Sequence, residues 1–204
     1  IDNDGDGYVE EIEWIVPHLS EETYDVGLKT TFNNVRPEDP TMPSGWYIQQ
    51  DGLSETDGGC LQERSWTIIF DSYSGLNNAT MYDPLKDTLG CGIKLPSFFS
   101  PRTGVMNMTF NFKTNFTNPD SFVEFLNYGF DNCNVGFNAN SIMKQVECDA
   151  TITDLGNKWK RMSITNWQIT TTTERVHLFF TPPYLLSQIG ETGTMILDDV
   201  VITL

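Results

Sequence analysis

Positive charge is scarce in this chain. Its 204 residues hold 12 Lys and Arg against 28 Asp and Glu, a formal net charge of −16. Such a surface repels phosphate backbones and anionic headgroups, which argues against nucleic-acid and membrane-surface partners and suits divalent cations. Histidine is scarcer still, with only His18 and His177. Neither stands in an H-E-x-x-H motif or beside a cysteine. There is no G-x-S-x-G elbow, no phosphate loop and no dinucleotide fingerprint. No run approaches the roughly 20 apolar residues of a membrane helix, so no membrane insertion is expected. None of the four cysteines lies in a C-x-x-C pair, which leaves little to hold zinc. The chain opens on Ile1 without an initiator Met or a signal segment, which reads as a processed chain or a piece of a longer one.

Sustained helical periodicity is also missing. What recurs instead is short β-rich runs separated by Gly, Pro, Asn and Asp: GLKTTF, GWYIQQ, SWTIIFDSY, CGIKLP, GVMNMTFNFKTNF, SFVEFLNY, IMKQVECDATI, WKRMSITNWQI, RVHLFFT and TMILDDVVITL. About ten strands at such spacing predict an all-β antiparallel sandwich. The run Val105–Phe116 states the pattern best. Met106, Met108, Phe110 and Phe112 alternate with Asn107, Thr109, Asn111 and Lys113, one face apolar and one wet. Met162 and Ile164 face inward on another strand, opposite Arg161, Ser163 and Thr165. Val176, Leu178 and Phe180 do so on a third, which leaves Phe179 either exposed or in a second packed layer.

The start of the chain is different. Counted from Asp2, DNDGDGYVEEIE places Asp2, Asp4, Asp6, Tyr8, Glu10 and Glu13 at positions 1, 3, 5, 7, 9 and 12 of a calcium loop, with Gly7 at the sharp turn. Alternate carboxylates converge on one ion, Tyr8 offers its carbonyl, and Glu13 closes the cage with two oxygens. Pro17 restricts the exit helix to about one turn, and no second hand follows, so a calcium sensor is not expected. The loop resembles the D-x-D-G-D-G repeats of thrombospondin-type and dockerin-like segments. Residues 1–22 therefore read as a calcium-clamped joint and residues 23–204 as the sandwich.

Cys60, Cys91, Cys133 and Cys148 form an even set, and sequons stand at Asn78, Asn107 and Asn115. Together with the calcium loop they indicate a secreted, glycosylated, disulfide-bonded eukaryotic protein. Four cysteines allow three connectivities, and sequence proximity favours Cys60–Cys91 with Cys133–Cys148.

Three further motifs occur in order: PSGWYIQQDG (43–52), NKWKRMSIT (157–165) and GTMILDDVVITL (193–204). Together they resemble the galactose-binding-like jelly roll found in many carbohydrate-binding modules. The resemblance implies a second calcium near Asp198 and Asp199, for which a strand-end hydrogen-bonding pair is the equal alternative. It also implies that Trp46 and Trp159 pack inside the sandwich. Sugar platforms in such folds are aromatic rings edged by polar groups. The candidates are Trp66, Tyr73, Tyr82, Tyr128 and Trp167, each with a bland reading as packing. Trp167 shares the parity of Arg161, Ser163 and Thr165 and is expected to face out, which makes it the first choice, with Trp66 and Tyr128 next. A glycan on Asn107 would stand on the wet face of a central strand and count against a sugar cleft there.

Glycosidase chemistry needs two carboxylates roughly 5–10 Å apart. Glu124 and Glu147 are the pair to consider, but solvated strand carboxylates are the plainer reading, and no catalytic residue is expected. Two functions fit these features. One is a non-catalytic, calcium-binding extracellular module for carbohydrate or glycoprotein. The other is a structural or adhesion building block that contacts other extracellular subunits in a fibre, matrix or wall. The calcium loop is directly testable. Calorimetric titration of Ca²⁺ into the chain should give a binding heat that Glu13→Gln weakens by about tenfold or more, and an unchanged affinity refutes the assignment.

Overall fold

The computed structural model describes residues 27–29, 47–50, 65–69, 73, 79–95, 98–100, 103–128, 133–170, 172, 175–183 and 185–203. The acidic loop with Asp2, Asp4, Asp6, Tyr8, Glu10 and Glu13 lies outside these residues, as do Trp46, Cys60 and Asn78. The described residues form strands and two short 3₁₀ turns, Pro84–Lys86 and Leu186–Ile189. Among them, no helix is long and apolar enough to cross a membrane.

The strands build two seven-stranded sheets, and every pairing in them is antiparallel. In chain order, β1 is Gly27–Lys29, β2 Tyr47–Gln50, β3 Trp66–Ile69, β4 Ala79–Tyr82, β5 Cys91–Lys94, β6 Phe98–Phe99 and β7 Gly104–Thr114. Then come β8 Val123–Tyr128, β9 Asn134–Phe137, β10 Ile142–Val146, β11 Asp149–Gly156, β12 Trp159–Ile169, β13 Arg175–Thr181 and β14 Met195–Thr203. The first sheet runs β11-β12-β7-β14-β4-β3, with β1 also paired to β14. The second runs β10-β9-β8-β13-β5-β2, with β6 paired to β13. This is the expected all-β sandwich of jelly-roll type, in which the chain crosses repeatedly between the sheets.

Alternation creates the core. Met106, Met108, Phe110 and Phe112 of β7, Met162 and Ile164 of β12, and Val176, Leu178 and Phe180 of β13 are all buried. The Phe110 ring meets Phe112, Phe137 and Phe180 at centroid distances of 6.1, 5.2 and 4.9 Å. Because Phe137 and Phe180 belong to the opposite sheet, these contacts hold the two layers together. Each ring buried this way contributes on the order of 1.5–3 kcal/mol. Phe179 is the exception to strict alternation: it is buried on the outer side, with the Lys94 ammonium 5.7 Å from its ring centre.

Three expectations are corrected. IMKQVECDATI is not one strand. It divides into β10 of the second sheet and β11 of the first, turning at Glu147, whose φ is 57°. Cys148 follows that turn and is bonded to Cys133, with a Cα–Cα distance of 5.3 Å, so the expected bridge sits where the chain changes sheets. Cys91 is also in a disulfide, while its expected partner Cys60 lies outside the described residues. Second, β4, β6 and β9 are additional strands, too short or glycine-interrupted to give a periodic signal.

Third, Trp167 does not face solvent. The β12–β7 register pairs Ile164 with Met108 and Trp167 with Met106, so Thr165 and Asn166 together oppose one residue. This is a β-bulge, and Asn166 takes the left-handed conformation with φ 58°. The extra residue reverses the side-chain parity beyond it. Trp167 is therefore fully buried, edge-on to Phe125 at 6.0 Å. Trp167→Ala should destabilise the fold by about 3–5 kcal/mol, read as a lower urea midpoint with an unchanged slope.

Candidate functional site

The outward side of the second sheet carries an unusual row. β10 to β13 pair so that Lys144 lies opposite Gly136, Gly136 opposite Glu124, and Glu124 opposite Thr181. Lys144 Nζ reaches Glu124 Oε1 at 3.0 Å, across the whole of β9. Two strand spacings are about 10 Å, and the side chain covers this distance because Gly136 places nothing in its way. A Cβ there would meet the Phe122 ring at 2.9 Å and the Lys144 Cβ at 3.2 Å. Gly92 on β5 allows a close approach of another kind, where a Cβ would lie 2.9 Å from the Thr181 Cβ and the Phe180 carbonyl oxygen. One register step along, Leu126, Phe179 and Lys94 form the next row.

These outward residues are not open to solvent. Lys94 and Thr181 are each 4% exposed, and Glu124 and Phe179 are each 7% exposed. Glu124 is thus a covered, ion-paired carboxylate and not the solvated one expected. Glu147 is exposed at the turn after β10. A cation, an anion, a hydroxyl and an aromatic ring lie side by side on one covered face.

The outward side of the first sheet is built differently. Trp159 is buried there, outside the sandwich, with Ala79 and Ile196, which corrects the expectation of a core position. Lys113 Nζ stands 5.6 Å from its ring centre and Tyr73 packs edge-on at 5.9 Å. Alongside, Arg161 Nε donates to Asn111 Oδ1 and Asn111 Nδ2 donates to Asp199 Oδ2, both at 3.0 Å. Asp198 accepts from the Tyr73 N–H at 2.7 Å and from the Asp199 N–H at 2.8 Å. Asp198 and Asp199 are thus engaged in hydrogen bonds, at a bulge where Asp199 has φ 49°. Among the described residues no three His, Cys, Asp or Glu side chains gather to hold a metal.

The expected sugar platforms fall out as follows. Trp66 is fully buried, donates Nε1–H to the Cys91 carbonyl at 2.8 Å and packs on Tyr82 at 4.9 Å. Tyr82 is also buried, its hydroxyl 2.7 Å from Asp87. Neither Trp66 nor Trp167 presents a ring face to solvent, which overturns both as stacking platforms. Tyr73 is 41% exposed. Tyr128 pairs with His177 in the second sheet; its side chain is not among the described ones. The sequon residue Asn107 is half-buried on the first sheet, and Asn115 is exposed in the loop after β7. Lys94, Thr181 and Gly136 carry no motif that marks them in the sequence. The outward parity of His177, Phe179 and Thr181 was the one available signal.

The protein defined by these observations is an antiparallel sandwich with one covered polar and aromatic outward face. No family model matches the chain. No curated protein matches it either. Solved structures similar to it include a cleaved adhesin domain of Lys-gingipain from Porphyromonas gingivalis, with 13% identity, a TM-score of 0.48, and coverage of 87% of this chain and 97% of that one. Another is the CBM22-1 xylan-binding domain from Paenibacillus barcinonensis, with 12% identity, a TM-score of 0.46, and coverage of 86% and 91%. A third is TmCBM27, a carbohydrate-binding module solved for its specific recognition of mannan, with 13% identity, a TM-score of 0.40, and coverage of 89% and 98%.

One further acid is buried, and its role is structural. Glu191 accepts from the N–H groups of Thr117, Asn118, Thr192 and Gly193 and from the Thr117 hydroxyl, at 2.6 to 3.0 Å. Burial pushes its pKa up, but the backbone donors of Thr117, Gly193 and Asn118 outweigh this and hold it at about 2, below the ordinary 4.5. The folded state therefore favours the ionised form. Its stabilisation, roughly 3 kcal/mol, is complete above about pH 5 and is lost as pH falls from 4.5 toward 2. Urea titrations at pH 7, 4 and 3 should show stability falling over this window. Glu191→Gln should be less stable at pH 7 by about 1–3 kcal/mol, with a flatter acid limb.

Proposed function

We propose that this protein is a non-catalytic extracellular module that binds carbohydrate through the outward face of the second sheet. The observation that carries the reading is the Lys144–Glu124 ion pair laid across Gly136 on this face, with the Lys144 side chain 46% exposed. Sugars present C–H faces that stack on aromatic rings and hydroxyls that bond to carboxylate, ammonium and amide groups. Phe179 is covered and offers no open ring face, so the reading rests on the second kind of contact. Glu124, held in place by Lys144 across Gly136, supplies the second. Asn107 lies on the other sheet, so a glycan there leaves this face clear. Calcium binding by the loop from Asp2 to Glu13 belongs to the same proposal and rests on the spacing of its acids. An oxidising, extracellular setting is supported by the Cys133–Cys148 bridge and the sequons. Affinity electrophoresis against a panel of neutral and acidic polysaccharides, followed by calorimetry with the matching oligosaccharide, tests the reading. Lys144→Ala and Glu124→Gln should each weaken binding by about tenfold or more, or about 1.4 kcal/mol, while Asn107→Gln leaves it unchanged. A cooperatively folded protein that binds none of the panel overturns it.

A further inference from the structure

We infer that Asn107 carries an N-linked glycan whose first sugar packs on the outward face of the first sheet, against Val105. In a strand, residues two apart share a face, so Val105, Asn107 and Thr109 stand in line on β7. The sequon thus presents its asparagine and its threonine on one side, with an apolar residue directly before them. Val105 is 44% exposed, an apolar side chain left open beside the sequon.

The carboxamide of Asn107 makes no hydrogen bond to the described protein, unlike that of Asn111, which is held at both ends. Its neighbours leave room. On β14 it faces Thr203. On β12 it faces the bulge, where Thr165 and Asn166 share its single position and both are exposed. Asn166 is turned away to donate to Asp149. Thr109, Ser163, Thr165 and Thr203 pave the surroundings with short hydroxyl side chains. A pyranose can lie flat there, its hydroxyls over theirs and its N-acetyl or C–H side on Val105. Asn115 offers no such bed: it is exposed, and its Oδ1 already accepts from the Thr194 hydroxyl.

The modification is a glycosyl transfer. Asn107 Nδ2 bonds to the anomeric carbon of a lipid-linked glycosyl diphosphate, the carbon–oxygen bond to that diphosphate breaks, the lipid diphosphate leaves, and Nδ2 loses a proton to the transferring enzyme.

The test is glycopeptide mapping of the full chain secreted from a eukaryotic host. Asn107 should be occupied, Thr109→Ala should remove its glycan, and Thr109→Ser should retain it. Trimming to a single N-acetylglucosamine should keep the melting temperature, whereas Asn107→Gln should lower it by about 2–4 °C. Val105→Ala should lower it in the glycosylated protein and have a smaller effect in the Asn107→Gln background. An unmodified Asn107 in secreted, folded wild-type protein overturns the inference, and this reading needs no variant to fold. An equal Val105→Ala effect in both backgrounds overturns the packing.

Discussion

The contact on which the rest depends is Phe110 of β7 against Phe137 and Phe180 of the opposite sheet. It draws in a chain of rings, because Phe112 also meets Phe137 at 4.8 Å and Phe180 meets Phe125 at 5.6 Å. Phe125 in turn meets Trp167. Side chains of this size set the separation of the two layers near the usual 10 Å of a sandwich. Close packing between the sheets makes their curvature and register a consequence of ring shape, so the outward faces inherit positions fixed from within.

The two outward faces use that frame differently. On the first sheet, polar groups satisfy one another: Arg161, Asn111 and Asp199 form a closed line, and Asp198 holds the Tyr73 backbone. Such a line stiffens three neighbouring strands and leaves little capacity for a ligand. On the second sheet, Gly136 and Gly92 let their neighbours approach closely, and Lys144 reaches Glu124 across Gly136. One face is finished by its own side chains. The other packs its neighbours tightly onto two positions that have no side chain at all.

The sandwich was legible because its central strand keeps strict alternation from Met106 to Phe112, and burial rewards that pattern regardless of detail. Parity reasoning failed where a single extra residue intervened. Trp167 follows Arg161, Ser163 and Thr165 by twos, yet the bulge at Thr165–Asn166 reverses its face, and nothing in the composition of that stretch marks an insertion. A similar limit hid the change of sheet inside IMKQVECDATI, which depends on Glu147 adopting a left-handed backbone. The outward row of the second sheet was hidden for another reason. Lys144, Gly136, Glu124 and Thr181 come from four strands, and only register makes them a row.

The position of β14 has a consequence for biosynthesis. It is the last of the described strands, yet it pairs with β1, β4 and β7 and occupies the middle of its sheet. A ribosome delivers it after all of its neighbours, so until then β7 has partners on one side only, and the closing of the sheet is a late, long-range event. In that interval the Asn107–Thr109 tripeptide belongs to an edge and not to an interior strand. On the proposal that Asn107 is glycosylated, vectorial synthesis would give the transferase access to a segment that the finished sheet flanks on both sides.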